Sequence, residues 1–212
     1  MVDSDLLEQI YSVPLGKHDW ASVLDALRRL FSGDGGVLMT FRAEAEAPWC
    51  ESLNGYDEGV WNTYAEHYAT VDPLVWAIRD GRQPNGEVRA DHQLIHPRMM
   101  RRTEFYNGFW QPNGIDHAAS GLMNEPDGSR VALALTRCRT TGPFTPEQLA
   151  QLQDCFRHLA QAFELEREVA ARSAEADLDA TARRFGLTAA EVEVVRCLAE
   201  TGSLRAVAHR LG

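Results

Sequence analysis

Residues 130–138 read Arg-Val-Ala-Leu-Ala-Leu-Thr-Arg-Cys. Side chains in a β-strand alternate between two faces, so this run presents two surfaces. One carries Val131, Leu133 and Leu135; the other carries Ala132, Ala134, Thr136 and Cys138. A strand with one wet face would show polar residues at every second position, but here no charge falls between Arg130 and Arg137. The pattern predicts a strand covered on both sides. Its small-residue face leaves room for a bulky neighbour, either a helix or a ligand.

The surrounding segments supply candidate covers. Residues 124–129 (Asn-Glu-Pro-Asp-Gly-Ser) carry an Asp-Gly turn signal and join the strand to another expected at 115–123. Upstream, residues 37–42 and 49–53 read as a strand pair. Residues 5–13 and 19–31 read as helices; in the second, Trp20, Val23, Leu24, Leu27, Leu30 and Phe31 recur at spacings of three and four. Residues 57–68, 73–80 and 99–110 have helical spacing, and 81–97 is rich in turn residues. Thr145-Pro146-Glu147-Gln148 is a capping box with proline at the first helical position. The helix it opens is expected to reach about residue 172. Its Leu149, Leu152, Phe156, Leu159 and Phe163 form a short seam that suits either its own sheet or a second copy of the helix. The element order is α+β, with a central antiparallel sheet flanked by helices and a long C-terminal helix.

Length and charge fit this layout. The 212 residues hold 21 Lys+Arg against 31 Asp+Glu, a net charge of −10, which excludes a simple basic nucleic-acid-coating protein. The average hides a split. Residues 181–212 carry Arg183, Arg184, Arg196, Arg205 and Arg210 against three glutamates, a net +2, so the rest carries −12. From the acidic start and the lack of a long apolar run, no leader or membrane segment is expected. Cys50, Cys138, Cys155 and Cys197 form no CxxC pair and read as reduced, small hydrophobes of a cytoplasmic protein. His92 and His96 are spaced i, i+4 beside Asp91, but Pro97 breaks any helix there, and no metal site is expected. No GxSxG, HExxH or P-loop occurs, so no enzyme and no cofactor are expected.

The end of the chain has the most specific pattern. Thr188-Ala189-Ala190-Glu191 is a second capping box; Thr201-Gly202-Ser203 breaks the helix it opens, and Leu204, Ala208 and Leu211 mark a second one. Leu187-Thr188-Ala189-Ala190-Glu191, Leu198-Ala199-Glu200-Thr201-Gly202 and Ala208-His209-Arg210-Leu211-Gly212 resemble the opening, turn and second-helix ending of the LuxR-type DNA-binding domain. The resemblance covers about 28 residues. It implies a partial all-α helix-turn-helix, ending before the recognition helix that the family places next. Ser203, Arg205 and Arg210 would then face DNA.

Upstream, Tyr56, Trp61, Tyr64, Tyr68 and Asp72-Pro73 resemble the aromatic run of LuxR-type sensor domains. The eleven residues from Trp61 to Asp72 are fewer than in the autoinducer-binding branch. Residues 104–114 are closer to a PAS/GAF-like sensor segment. The combined resemblance implies a PAS/GAF-like sensing and dimerisation domain at 1–172, a linker at 173–180 and the helix-turn-helix portion at 181–212. Candidate ligand-binding residues are Trp61, Tyr64, Tyr68, Asp72, Trp76, Phe105, Phe109 and Trp110: rings for an apolar pocket, with Asp72 either a polar handle or only the cap of the helix that Pro73 opens.

The expectation is a cytoplasmic transcription regulator, a homodimer that binds promoter DNA and a small apolar or aromatic effector. The alternative is a ligand-independent dimerisation and protein-interaction scaffold of the same fold. A side-chain-filled core near Tyr64 and Trp110 would favour the scaffold; a cavity there would favour sensing.

Overall fold

Both faces of the central strand are covered, each by a different layer of helices. The structure, a computed structural model, describes residues 3–42 and 48–201. The expected second helix of the helix-turn-helix, with Ser203, Arg205 and Arg210, lies outside the described residues. The chain divides into two compact units, Met1–Phe163 and Glu164–Gly212.

The first unit opens with helices α1 (Ser4–Ser12) and α2 (Trp20–Leu30), capped by the side chains of Asp3 and Asp19. Strands β1 (Gly35–Phe41) and β2 (Trp49–Asn54) follow. Helix α3 (Glu58–Thr63) widens into a π turn at Tyr64–Tyr68 and closes as α4 (Ala69–Val71). Helix α5 (Pro73–Arg79) is capped by Asp72. Next come β3 (Val88–Ala90), α6 (Asp91–Leu94), α7 (Pro97–Met100) and a second π turn, Tyr106–Trp110. The hairpin β4 (His117–Asn124) and β5 (Arg130–Arg137) leads to α8 (Pro146–Phe185).

Among the described residues the sheet has order β2-β1-β5-β4-β3, antiparallel throughout, with β5 at its centre. The register separates the faces. Leu38 opposes Leu133, and Met123 opposes Val131; these belong to a core shared with α1, α2 and the start of α8. Met39 opposes Ala132, and Leu122 opposes Ala132 from the other side; these face the aromatic helices. Leu133 and Leu135 are at most 2% exposed, each stabilising the fold by about 1.5–3 kcal/mol. Gly121 lets α8 approach β4, since a Cβ there would lie 2.5 Å from the Phe156 ring. The α8 seam thus docks on its own sheet, with Leu152, Phe156 and Leu159 buried.

Arg137, the charge that closes β5, is 3% exposed yet satisfied. Its guanidinium donates to the carbonyls of Phe31 and Pro143 and to Gln148, and stacks 3.9 Å from the Phe144 ring centre. It ties the end of α2 to the start of α8.

The structure departs from the sequence reading in three places. The helix expected over 99–110 is broken at 101–103, between α7 and the second π turn. Residues 81–97 hold β3 and two short helices, segments too short for periodicity to register. Residues 173–180, which their polarity marks as a linker, are helical, since α8 continues to Phe185 through Ala, Glu, Leu and Arg, all strong helix formers. In the second unit the capping box forms: Glu191 accepts from Thr188 N–H and its hydroxyl at 2.8 Å, opening α9 (Ala189–Thr201). No helix among the described residues is long and apolar enough to cross a membrane.

Candidate functional site

Between the small-residue face of β5 and the two π turns lies a cavity of about 110 Å³. Its floor follows from the sheet: Ala132, Ala134 and Thr136 of β5, with Val37 and Met39 from β1 and Ala118 and Ser120 from β4. Two alanines side by side on a central strand remove the volume that larger residues would fill. The opposite wall is aromatic. Tyr64 stands 5.4 Å from Phe109 and 6.3 Å from Phe105, ring centre to ring centre; Phe105 stands 5.7 Å from Trp110. These are offset or edge-on arrangements, the favoured packing of rings. A π turn holds more residues than an α turn and often marks a functional site. Here both π turns carry the wall.

Six of the eight expected ligand-binding residues line this cavity: Trp61, Tyr64, Asp72, Phe105, Phe109 and Trp110. Two do not. Tyr68 packs behind the wall, 5.2 Å from Phe109, with its hydroxyl over Gly108, where a Cβ would lie only 2.4 Å away. Trp76 is 47% exposed; α5 buries Val75, Ala77 and Ile78 instead, and the Trp76 indole N–H donates to the Thr70 carbonyl at 3.1 Å. Tyr56, absent from the expected site residues, does line the cavity. It lies across Gly35, where a Cβ would sit 2.0 Å from its ring, and its hydroxyl pairs with Thr136 Oγ1 at 2.5 Å. The signal for it is its place in the same aromatic run.

The polar centre of the cavity is a buried pair. Tyr64 Oη donates to Asp72 Oδ2 at 3.1 Å, and Asp72 Oδ1 accepts from Leu74 N–H at 2.8 Å. Asp72 is 5% exposed and has no cation within ion-pair distance among the described residues. Burial pushes its carboxyl up to about 7, against the helix-cap hydrogen bonds that favour the charge. Burial and then the neighbouring Asp72 charge push the Tyr64 phenol well above its usual value. The carboxyl is a hydrogen-bond donor when protonated and an acceptor only when ionised.

Other candidate chemistry is sparse. The four cysteines are free, with Cys155 and Cys197 buried. No group of three or more His, Cys, Asp or Glu among the described residues is placed to hold a metal ion.

No protein-family model matches the sequence, and no curated protein matches it. Solved structures do share its fold. The ligand-binding domain of VqsR from Pseudomonas aeruginosa superposes with a TM-score of 0.60 at 15% identity, covering 78% of this chain and 93% of that one. The N-acylhomoserine-lactone-dependent LuxR-family transcription factor CepR2 from Burkholderia cenocepacia gives 0.54 at 15% identity, covering 79% and 97%. The third GAF domain of Slr1393 from Synechocystis sp. PCC6803 gives 0.51 at 13% identity, covering 78% and 98%. The fold is therefore the one common to LuxR-family ligand-binding domains and GAF domains. It does not separate the two branches that differ in the Trp61–Asp72 interval.

Proposed function

We propose that the chain is a sensor-regulator: a GAF-like domain binds a compact apolar or aromatic molecule and controls a LuxR-type DNA-binding end. The observation that carries this reading is the cavity, walled by alanines on one side and rings on the other, with a single buried carboxyl inside. A core meant only as a scaffold would be filled, because voids forfeit packing energy. A cavity of about 150 Å³ in an apolar core holds benzene, so 110 Å³ suits a ligand no larger than that, with its polar head counted in. That head faces Asp72 and Tyr64, while the rings exclude water.

The mechanism is a shift of population: the ligand must bind one arrangement of the protein better than another. The wall sits on wide turns, whose repacking around a ligand offers two such arrangements. The resemblance of residues 187–212 to the LuxR-type domain supports DNA as the partner, and the basic balance there suits phosphate contact. A cytoplasmic homodimer completes the reading, formed by a surface other than the α8 seam, which its own sheet occupies. The protein acts by binding, without a catalytic step.

Native mass spectrometry of the purified chain tests the sensing part. A co-purifying small molecule, lost in Ala134→Phe, is the expected result. A clean apoprotein mass that no compact aromatic probe shifts in Tm or in tryptophan fluorescence refutes it. Gel-shift on promoter DNA at low salt, with size-exclusion light scattering, tests the regulator part. A chain extended past Gly212 through a recognition helix that still ignores DNA refutes that part separately.

A further inference from the structure

Tyr68, the last residue of the first π turn, lies against the second π turn at Gly108. Gly108 has no positive φ, so its backbone conformation alone would accept any residue. What the position lacks is room. A Cβ there would collide with the Tyr68 hydroxyl and lie 3.1 Å from two carbons of its ring. The glycine is therefore required by its neighbour across the gap, and it lets the edge of a tyrosine meet bare backbone. The same two segments are also tied at the surface, where His67 Nε2 and Glu104 Oε1 are 2.5 Å apart. Both of those side chains are more than half exposed, so that pair contributes little. The spacing of the turns rests on the Tyr68 berth.

Phe109 is the wall ring that depends on this berth. It follows Gly108 in the chain, is buried and lines the cavity. Three rings hold it, with centres 5.4 Å (Tyr64), 5.6 Å (Phe105) and 5.2 Å (Tyr68) from its own. Tyr64 and Phe105 line the cavity beside it, whereas Tyr68 stands behind it. The other surfaces of the cavity are fixed by separate means. Sheet register places Ala132 between Met39 and Leu122, and the hydrogen bond to Asp72 orients Tyr64. How far Phe109 stands into the cavity thus depends on what backs it. Interiors are close-packed, so a ring that loses its backing relaxes toward the space left behind it.

We propose that Tyr68 and Gly108 set the size of the molecule that the effector cavity accepts. The berth holds Phe109 forward, which leaves room for a single six-membered ring and excludes a fused pair of rings. Both are positioning residues, since they act through Phe109 and neither lines the cavity. The inference rests on the sensor reading of the cavity and adds the ligand class to it: one aromatic ring with a small polar head. The volume agrees, because about 110 Å³ is less than the roughly 150 Å³ that holds benzene and has no space for a second ring.

Isothermal titration of the full chain with phenol and with indole tests this. Wild type should bind phenol at least tenfold more tightly than indole. Tyr68→Ala removes the backing and should erase or reverse that preference. Gly108→Ala evicts the ring from its berth and should do the same by the opposite route, which guards against one variant failing to fold. Tyr68→Phe keeps the ring and should keep the preference. Adding Gly108→Ala to Tyr68→Ala should change nothing further, because the methyl group then meets open space. A purely structural role would weaken both probes in proportion, so an unchanged ratio in a folded Tyr68→Ala or Gly108→Ala overturns the proposal, as does a lost preference in Tyr68→Phe. Equal binding of both probes by wild type removes the size limit alone. Binding of neither removes the sensor reading and the size limit with it.

Discussion

Replacing Asp72 by Asn should change the pH dependence of stability in a calculable way. The carboxyl titrates near 7 in the folded protein, against an ordinary value of 3.8, because burial disfavours its charge. The folded state thus holds a proton that the unfolded chain has released, and stability falls as pH rises from about 4 to about 7. The stabilising proton is fully in place below the unfolded pKa and is lost through the folded one. At about 1.4 kcal/mol per pH unit, the loss is about 4 kcal/mol over the whole window and about 2 kcal/mol between pH 5.5 and pH 8. The carboxamide of Asp72→Asn would keep an oxygen for Leu74 N–H and present an amide to Tyr64, with no charge to bury. Urea denaturation of both proteins at pH 5.5 and pH 8 measures the gap, and taking the difference cancels the histidines and the other carboxylates. The gap should widen in favour of Asp72→Asn by about 2 kcal/mol at the higher pH. A constant gap, or one that narrows, refutes the claim that Asp72 is buried without a compensating cation.

Three further outcomes follow from the packing. Ala134→Phe should fill the effector cavity and abolish ligand retention, at a stability cost of about 1–3 kcal/mol from overpacking, read by thermal melting and native mass spectrometry. Gly35→Ala drives a methyl group into the Tyr56 ring and should cost about 1–3 kcal/mol in wild type but far less in a Tyr56→Ala background, a coupling that a double-mutant cycle in urea reads directly. Arg137→Met leaves the carbonyls of Phe31 and Pro143 without their donor and should cost about 2–4 kcal/mol in chemical denaturation; an unchanged midpoint would show that the guanidinium ties nothing together.

Much of this architecture is legible in the sequence, and the reasons are local. The two-faced pattern of residues 130–138 is a period-two signal that no helix satisfies, and both the flanking layers and the cavity descend from it. The capping boxes at Thr145 and Thr188 are legible because capping chemistry is confined to three or four residues. What is not legible depends on tertiary choice. Trp76 reads as a pocket residue because it belongs to an aromatic run, but α5 can bury only one side, and Pro73, Val75, Ala77 and Ile78 occupy it. Tyr68 shares a helix with Tyr64 yet ends behind the wall, because Gly108 opens a berth for its hydroxyl there. The hydrogen bond from Ala118 N–H to Asp91 needs a three-residue strand that periodicity is too coarse to detect.

The two π turns also bear on how such a protein changes over generations. A wide turn such as Tyr106–Trp110 holds one residue beyond what an α-helix needs. Losing a single codon there would restore ordinary helix and swing the flanking side chains by roughly 100° relative to one another. Either Phe105 or Trp110 would leave the wall, while the sheet and the opposite core kept every contact. In the proposed sensor, selectivity is thus rewritten in one genetic step, at a place remote from the sheet and the opposite core.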